Sequence, residues 1–424
     1  MKHPSPDAIE RSFAAAKAAY AAWGVDVDAA LKTLATVPLS LHCWQGDDVG
    51  GFENSAGLTG GGIQATGNYP GKARTAAELR ADMETAFSLI PGTHKANLHA
   101  IYAETGGRPV ERDKVGPEHF AGWIAWAKKL GIGLDFNETY FSHPMAESGF
   151  TLSSRDAKVR DFWVRHTERC REIGQTMGRE LGTPCVVDLW IADGFKDTPV
   201  DRFTPRQYLR ESLDRIFATR YDPRYIRDAV EGKLFGIGSE SCVIGSHDFY
   251  LSYTMKNDLL LCLDMGHFHP TESVADKISA ILPFARGLLL HVSRGVRWDS
   301  DHVVTLNDDV KAVAAEVARA GAWDRVNIAT DYFDASINRI AAWVIGARAT
   351  LKAILIALLE PTETLKKEEA SGNFTARLAL MEEIRDLPYG AVWDMFCVKQ
   401  GVPAGAAWLD KVVEYESAVL AKRK

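Results

Sequence analysis

Residues 259–270 read LLLCLDMGHFHP. Five apolar or thiol side chains make a buried strand, and the strand ends at once in Asp264, followed by His267 and His269. Buried carboxylates and imidazoles are costly unless something pairs with them. A divalent cation satisfies several such groups together. Other apolar runs in the chain finish the same way, at His99, His291 and Asp331.

Working outward, eight strand-like runs recur: Leu39–Trp44, Ala96–Tyr102, Ile132–Asn137, Cys185–Ile191, Lys233–Gly238, Leu259–Met265, Leu288–Ser293 and Val326–Tyr332. Between them lie segments with apolar residues three and four apart, such as Thr75–Leu89, Pro117–Leu130, Ser154–Leu181, Pro205–Thr219 and Thr271–Ala285, which read as helices. Eight strands alternating with helices predict a closed (β/α)8 TIM barrel. No glycine-rich phosphate turn follows the first strand, so an open dinucleotide-binding sheet is disfavoured. An Ala-rich N-terminal helix over 8–22 precedes the barrel. The chain after Asp331 reads as helical, over 335–360, 361–386 and 403–422. The expected division is a barrel domain over 1–345 and a helical extension over 346–424 that serves oligomer contacts.

The 424 residues suit one large barrel with extensions, and 46% hydrophobic with 25% charged residues is ordinary for a globular chain. Forty-nine basic and 56 acidic residues give a net charge of −7 without a basic stripe, which disfavours a nucleic-acid partner. The six cysteines form no CxxC pair and read as reduced core residues. The N-terminus lacks the apolar core of a signal peptide. The most apolar run, Leu351–Leu359, is too short to span a bilayer and carries Lys352. A cytoplasmic protein without a membrane partner is expected.

In a barrel, the C-terminal strand ends face one pocket. The candidates there are His42, His99, Asp135, Asn137, Asp188, Trp190, Asp264, His267, His291 and Asp331. Imidazole and carboxylate without thiolate suit an open catalytic Mn²⁺, Mg²⁺, Co²⁺ or Zn²⁺ site. Asp264 and His267 both reach the pocket, while His269 points the other way and supports the shell. Asp299 and Asp301, two apart after the His291 strand, read either as ion ligands or as a turn-forming pair. Glu231 and Lys233 share one strand face. They read either as a ligand beside a substrate-touching ammonium or as a surface ion pair at a strand entrance. Asp331 is the better ligand than Asp334, which can cap a helix starting near Ala335. Trp44, Trp190 and Phe333 are either walls for a sugar-sized ligand or core. The long glycine-rich segment Gly46–Gly71 reads either as a functional lid or as a loose surface excursion. Its Val49, Phe52, Leu58 and Ile63 would close over an apolar part of a ligand.

The strings HCWQGDD (42–48), GNYPGK (67–72), GHFHP (266–270), VRWDSDHV (296–303) and DASINRIAAW (334–343) resemble the L-rhamnose isomerases of the enterobacterial type. The resemblance runs nearly end to end. It implies a xylose-isomerase-like barrel, a homotetramer, and conversion of L-rhamnose to L-rhamnulose as the first step of rhamnose catabolism. It implies a structural ion, such as Zn²⁺ or Mn²⁺, on Glu231, Asp264, His291 and Asp331. It also implies a catalytic Mn²⁺ on His267, Asp299 and Asp301. Lys233 would touch the substrate near O1, and His99 the ring oxygen, where it assists ring opening. The lid would meet the C6 methyl. With the carboxylates committed to metal, few general bases remain. That favours a metal-promoted 1,2-hydride shift, with a water held by Asp299 or Asp301 carrying the O2 proton. The rival readings are another metal-dependent barrel hydrolase, which would release phosphate or ammonia, and a silent sugar-binding protein, which would bind without turnover.

Overall fold

A computed structural model describes residues 3–53, 65, 67–234, 240–296 and 301–423. Eight parallel strands close into a barrel: β1 (Pro38–His42), β2 (Thr93–His99), β3 (Gly133–Asn137), β4 (Cys185–Trp190), β5 (Ile226–Glu231), β6 (Leu260–Asp264), β7 (Leu288–Val292) and β8 (Val326–Thr330). Each strand pairs with its sequence neighbours, and β8 closes on β1 through Leu39 opposite Ile328. Helices α1 (Pro6–Ala21) and α2 (Val27–Thr36) precede the barrel. One helix then follows each strand: α3 (Ala76–Phe87), α4 (Ala121–Leu130), α5 (Ala157–Leu181), α6 (Phe203–Ile216), α7 (His247–Asn257), α8 (Val274–Ile281), α9 (Asp308–Arg319) and α10 (Arg339–Leu358).

Local chemistry sets these boundaries. Thr75 caps α3 by accepting the Glu78 N–H, while the Glu78 carboxylate takes the Arg74 N–H at 2.8 Å. Helix α5 ends at Gly182, whose φ of 69° only glycine adopts freely. The tail is more divided than its composition suggests. Residues 361–386 form α11 (Thr362–Ala370) and α12 (Phe374–Glu383), broken at Gly372 with φ 76°. Two further helices follow, α13 (Tyr389–Lys399) and α14 (Trp408–Ala418). Helix α10 is long and apolar enough to cross a membrane by length and composition, yet 83% of that window is buried. It is the last helix of the barrel wall, and it runs unbroken through 345 and 346. Each apolar side chain it buries contributes about 1.5–3 kcal/mol.

Seven of the eight expected strands appear. The fifth is displaced: it spans Ile226–Glu231, ahead of Lys233–Gly238, and Phe235–Ser239 lie outside the described residues. Glu231 and Lys233 therefore sit at the exit of β5, not its entrance. The sequence IRDAVE hides this strand because two of its residues are charged for local reasons. Arg227 faces the open lower mouth, and Asp228 receives a fork from Arg171 at 2.8 and 2.9 Å.

Alternation along the strands sorts the barrel interior into layers. The lower layer holds Lys95 paired with Asp135, and Arg227 donating to Asn327 at 3.3 Å. A small apolar layer follows, made of Val186, Ala229, Leu260, Cys262, Leu289 and Ala329. Two residues further along the same strands come Asp188, Glu231, Asp264, His291 and Asp331.

Candidate active site

The upper layer is a set of lone pairs aimed at each other. Glu231, Asp264, His291 and Asp331 each offer a ligand atom, all within 4.8 Å of one another. His291 Nδ1 lies 3.2 Å from Glu231 Oε2, 3.4 Å from Asp331 Oδ2 and 3.8 Å from Asp264 Oδ2. None of these is a hydrogen bond, since His291 Nδ1 and Asp264 Oδ2 are buried without a hydrogen-bond partner. Ligands about 2.1 Å from one ion are themselves spaced about 3.0–3.4 Å apart in tetrahedral or octahedral geometry. The 3.2 and 3.4 Å spacings match the edges of such a shell, and the 3.8 Å spacing to Asp264 is wider.

Two of these carboxylates, Asp264 and Asp331, have their other oxygen spoken for. Asp264 Oδ1 accepts the Gly266 N–H at 2.6 Å and the Ser293 hydroxyl at 3.0 Å. Asp331 Oδ1 accepts the Trp44 indole N–H at 3.0 Å. Supports of this kind orient a ligand by occupying its non-binding atom. A second group, Asp264, His267 and Asp301, also lies within 4.8 Å and shares Asp264 with the first. Glu231 reaches toward this group too, with Oε1 2.6 Å from His267 Nδ1.

Left to themselves, these side chains hold protons in place of a cation. Burial disfavours a charged His267, but Asp264 and Glu231 outweigh it and raise its pKa to about 10. His291 is also raised well above the ordinary range, burial again being outweighed, here with Cys262 and then Glu231 and Asp331 contributing. Burial pushes Asp301 well up, with Asp264 adding to it. Metal binding displaces such protons.

Beside the ligand groups opens a cavity lined by Trp44, Val49, His99, Phe141, Trp190, Lys233 and Phe333. The Lys233 Nζ lies 4.6 Å from the centre of the Trp190 ring. His99 Nδ1 is 2.9 Å from the Glu138 carbonyl. A carbonyl only accepts, so Nδ1 carries the proton and Nε2 keeps its lone pair. Burial lowers the His99 pKa to about 4, so the ring is neutral at physiological pH.

A family model of L-rhamnose isomerase (RhaA) matches residues 7–423. L-rhamnose isomerases of Salmonella paratyphi A and Salmonella typhimurium are each 56% identical to this chain over 415 residues, covering 98% of it and 99% of the relative. The chain belongs to the L-rhamnose isomerase family. Among solved structures, an L-ribulose 3-epimerase is more distant, at 13% identity and a TM-score of 0.46, covering 78% of this chain and 96% of that one.

Several of the residues expected for an L-rhamnose isomerase site meet at this end of the barrel: His99, Trp190, Glu231, Lys233, Asp264, His267, His291, Asp301, Asp331, Phe333 and Val49. Asp299 and Ile63, and Leu58 of the lid, lie outside the described residues. Four expectations need correction. Asp135 is in the lower layer, paired with Lys95 and accepting the Val186 N–H at 2.7 Å. His42 is a core histidine bonded to Thr330 at 2.7 Å and held neutral by burial, with a pKa of about 4. His269 contacts Thr271 at 2.7 Å in the turn after the strand, away from the ligand groups. Phe52 packs on the Tyr102 ring at 5.4 Å instead of facing the cavity. Asp334, the rejected alternative to Asp331, holds a turn by accepting the Ser336 N–H at 2.8 Å, and Asn338 caps α10.

Sequence reasoning missed Cys262, which joins Asp188, Glu231 and His291 in a third close group. Burial pushes its thiol well up, so it stays protonated. Phe141, Gly266 and Ser293 were missed as well. Gly266 carries a readable signal: it lies between the two candidate ligands Asp264 and His267.

Proposed function

We propose that this chain isomerises L-rhamnose to L-rhamnulose, the entry step of rhamnose catabolism, in a pocket that holds two divalent ions. The observation that carries the reading is Asp264. One of its oxygens is fixed by Gly266 and Ser293, and the residue belongs to both ligand groups. Glu231, Asp264, His291 and Asp331 would hold the structural ion, Zn²⁺ or Mn²⁺. His267, Asp299 and Asp301 would hold a catalytic Mn²⁺. When bound, such ions supply Lewis-acid stabilisation of negative charge on sugar O1 and O2.

The chain's own groups do the rest. His99 Nε2, with its lone pair facing the cavity, takes the anomeric hydroxyl proton and returns it to the ring oxygen, which opens the ring. One nitrogen serves both transfers because Nδ1 is fixed on the Glu138 carbonyl. The Lys233 ammonium, steadied over Trp190, donates to O1. Trp190, Phe333 and Val49, with Ile63 of the lid, present apolar surface to the sugar face and its C6 methyl.

The carboxylates lining the cavity, Glu231, Asp301 and Asp331, all belong to the ligand groups. His99 serves the ring. Among the described residues no carboxylate is left to strip C2 of its proton, which supports a 1,2-hydride shift. The hydrogen leaves C2 with its electron pair and arrives at C1, while the O2 proton passes to O1 by way of a water at Asp301.

A homotetramer is proposed too. Phe374 and Leu378 are 59% and 55% exposed on α12, a helix that buries no residue of its own. A second copy of the chain is the natural cover for them. A cytoplasmic setting suits six buried cysteines, all of them free.

The test is incubation with L-rhamnose in D₂O, with and without EDTA and with Mn²⁺ restored. Ketose should form only with the metal and should carry no deuterium at C1. Substantial deuterium there would refute the hydride shift. Sugar binding without ketose in the presence of Mn²⁺ would refute the isomerase reading.

A further inference from the structure

The opposite mouth of the barrel carries a second cavity, of about 690 Å³, beneath the apolar layer of Val186, Ala229 and Leu289. Six arginines (171, 220, 224, 227, 286 and 325) line it, against three carboxylates, Asp228, Asp258 and Asp324. The excess of three positive charges stands out in a chain whose net charge is −7.

Some of these arginines are structural. Arg171 is forked onto Asp228, and Arg224 onto Asp222 outside the cavity. Arg286 reaches Asp258 at 3.4 Å. Among the described residues the other three have no such partner. There Arg220 donates only to the Asn257 carbonyl at 3.3 Å, and Arg227 only to Asn327 at 3.3 Å. Arg325 donates to the backbone carbonyls of Leu282, Ala285 and Arg286. Arg227 is half-buried on the interior face of β5, where a charge without a counter-charge is unfavourable. Each guanidinium has five donors, so Arg220 and Arg227 retain most of theirs. The guanidinium fork matches phosphate oxygens in pairs. The volume is that of a small-molecule site.

We propose that this lower mouth is an anion site for a phosphate-bearing metabolite, with Arg220 and Arg227 as the recognising groups. It is separate from the ligand groups above, because the apolar layer fills the barrel between them.

The test is calorimetric titration of the Mn²⁺-loaded protein with inorganic phosphate and with glycerol 3-phosphate, at ionic strength matched with NaCl, with glycerol as the neutral control. Saturable binding of at least one phosphate is expected, with none for glycerol. Tighter binding of the ester than of inorganic phosphate identifies an organic metabolite, and equal binding identifies free phosphate. Arg227→Gln should weaken binding tenfold or more while L-rhamnose turnover stays within twofold. If that variant fails to fold, Arg220→Gln, at an exposed position, carries the same expectation. No binding to the wild type, or unchanged binding in the variants, overturns the proposal.

Discussion

Arg339 holds Asp48 through two parallel hydrogen bonds, Nε to Oδ1 and Nη2 to Oδ2, each 2.8 Å. Its third nitrogen donates to the carbonyls of Tyr69 and Pro70 at 2.5 and 3.2 Å. One buried guanidinium at the start of α10 therefore ties together both stems of the lid segment. The backbone explains why so strong a tie is placed there. Asp48 and the β-branched Val49 both sit in the left-handed region, at φ 60° and 58°. Each such residue costs about 1–2 kcal/mol. A bidentate charge-assisted pair offsets that cost and holds Val49 in the cavity wall.

Arg339→Lys keeps the charge but loses the fork. The expected result is a rise in KM for L-rhamnose on the order of tenfold, with a smaller change in kcat, since a lost hydrogen bond to a charged group is worth about 1.5–3 kcal/mol. Val49 lines the cavity where the sugar's apolar end is proposed to lie, so preference for L-rhamnose over L-mannose, which carries a hydroxyl on C6, should also fall. Steady-state kinetics on both sugars check this. An unchanged preference would mean that the clamp does not set the wall.

Four histidines buried neutral each contribute stability that is lost in acid. Burial lowers His42, His94 and His99 to about 4, and His166 to about 3. Between those values and the ordinary 6.5 the unfolded chain binds more protons than the folded one, so stability falls as pH drops through that window. Each group contributes about 1.4 kcal/mol per pH unit. Asp47, raised to about 7 mainly by burial, acts in the opposite sense, as do other carboxylates that burial raises, among them Asp82, Glu138, Asp188 and Asp193, so a single substitution is needed to isolate one histidine's share. His94 lies away from the active site, its Nε2 2.9 Å from the Ile90 carbonyl. His94→Gln keeps a donor for that carbonyl and should flatten the fall in unfolding free energy between pH 6.5 and 5 by one histidine's share. Chemical denaturation at several pH values checks the slope. Equal slopes in variant and wild type would contradict this account of His94.

Metal removal should be read out in stability as well as in turnover. Without cations, Glu231, Asp264 and Asp331 crowd one buried corner, with Asp301 and His267 beside them. A ligand present at 100 times its Kd stabilises the folded state by about 2.7 kcal/mol. EDTA should therefore lower the thermal midpoint by several degrees and abolish ketose formation, and Mn²⁺ should restore both. His267→Ala should lose activity and keep the fold. Full turnover of that variant with added Mn²⁺ would remove His267 from the catalytic ligands.

Which parts of this arrangement the residues announce, and which they hide, has a physical basis. Strands such as LLCLD and LLLHV declare themselves because they are apolar on both faces until the polar end arrives. Strand β5 does not, because Arg227 serves the lower mouth and Asp228 serves Arg171. The ligands are visible because a buried Asp or His at a strand end is costly and so rarely idle. The false candidates, His42 and Asp135, look the same in one dimension. Only the third dimension supplies Thr330 and Lys95 as their partners. Supports such as Ser293 and Arg339 carry no local signal, since their partners lie 29 and 291 positions away.

Gly266 offers a sharp test of the ligand geometry, because it has no side chain where one would have to go. A Cβ there would lie 2.5 Å from Asp301 Oδ1, 2.9 Å from Ser293 Oγ and 3.2 Å from Asp264 Oδ1. Three groups that shape the shared corner would have to move, and metal sites lose about 10–100-fold in affinity when a supporting contact is disturbed. Gly266→Ala should raise the Mn²⁺ concentration for half-maximal activity by at least that lower figure, and saturating Mn²⁺ should recover part of the rate. Gly295 serves as the control in the next loop: its Cβ would meet nothing nearer than 3.7 Å. Gly295→Ala should leave the Mn²⁺ dependence unchanged. If the two alanine variants behave alike, then crowding at Asp264 and Asp301 does not govern metal affinity, and the shared-corner arrangement is wrong.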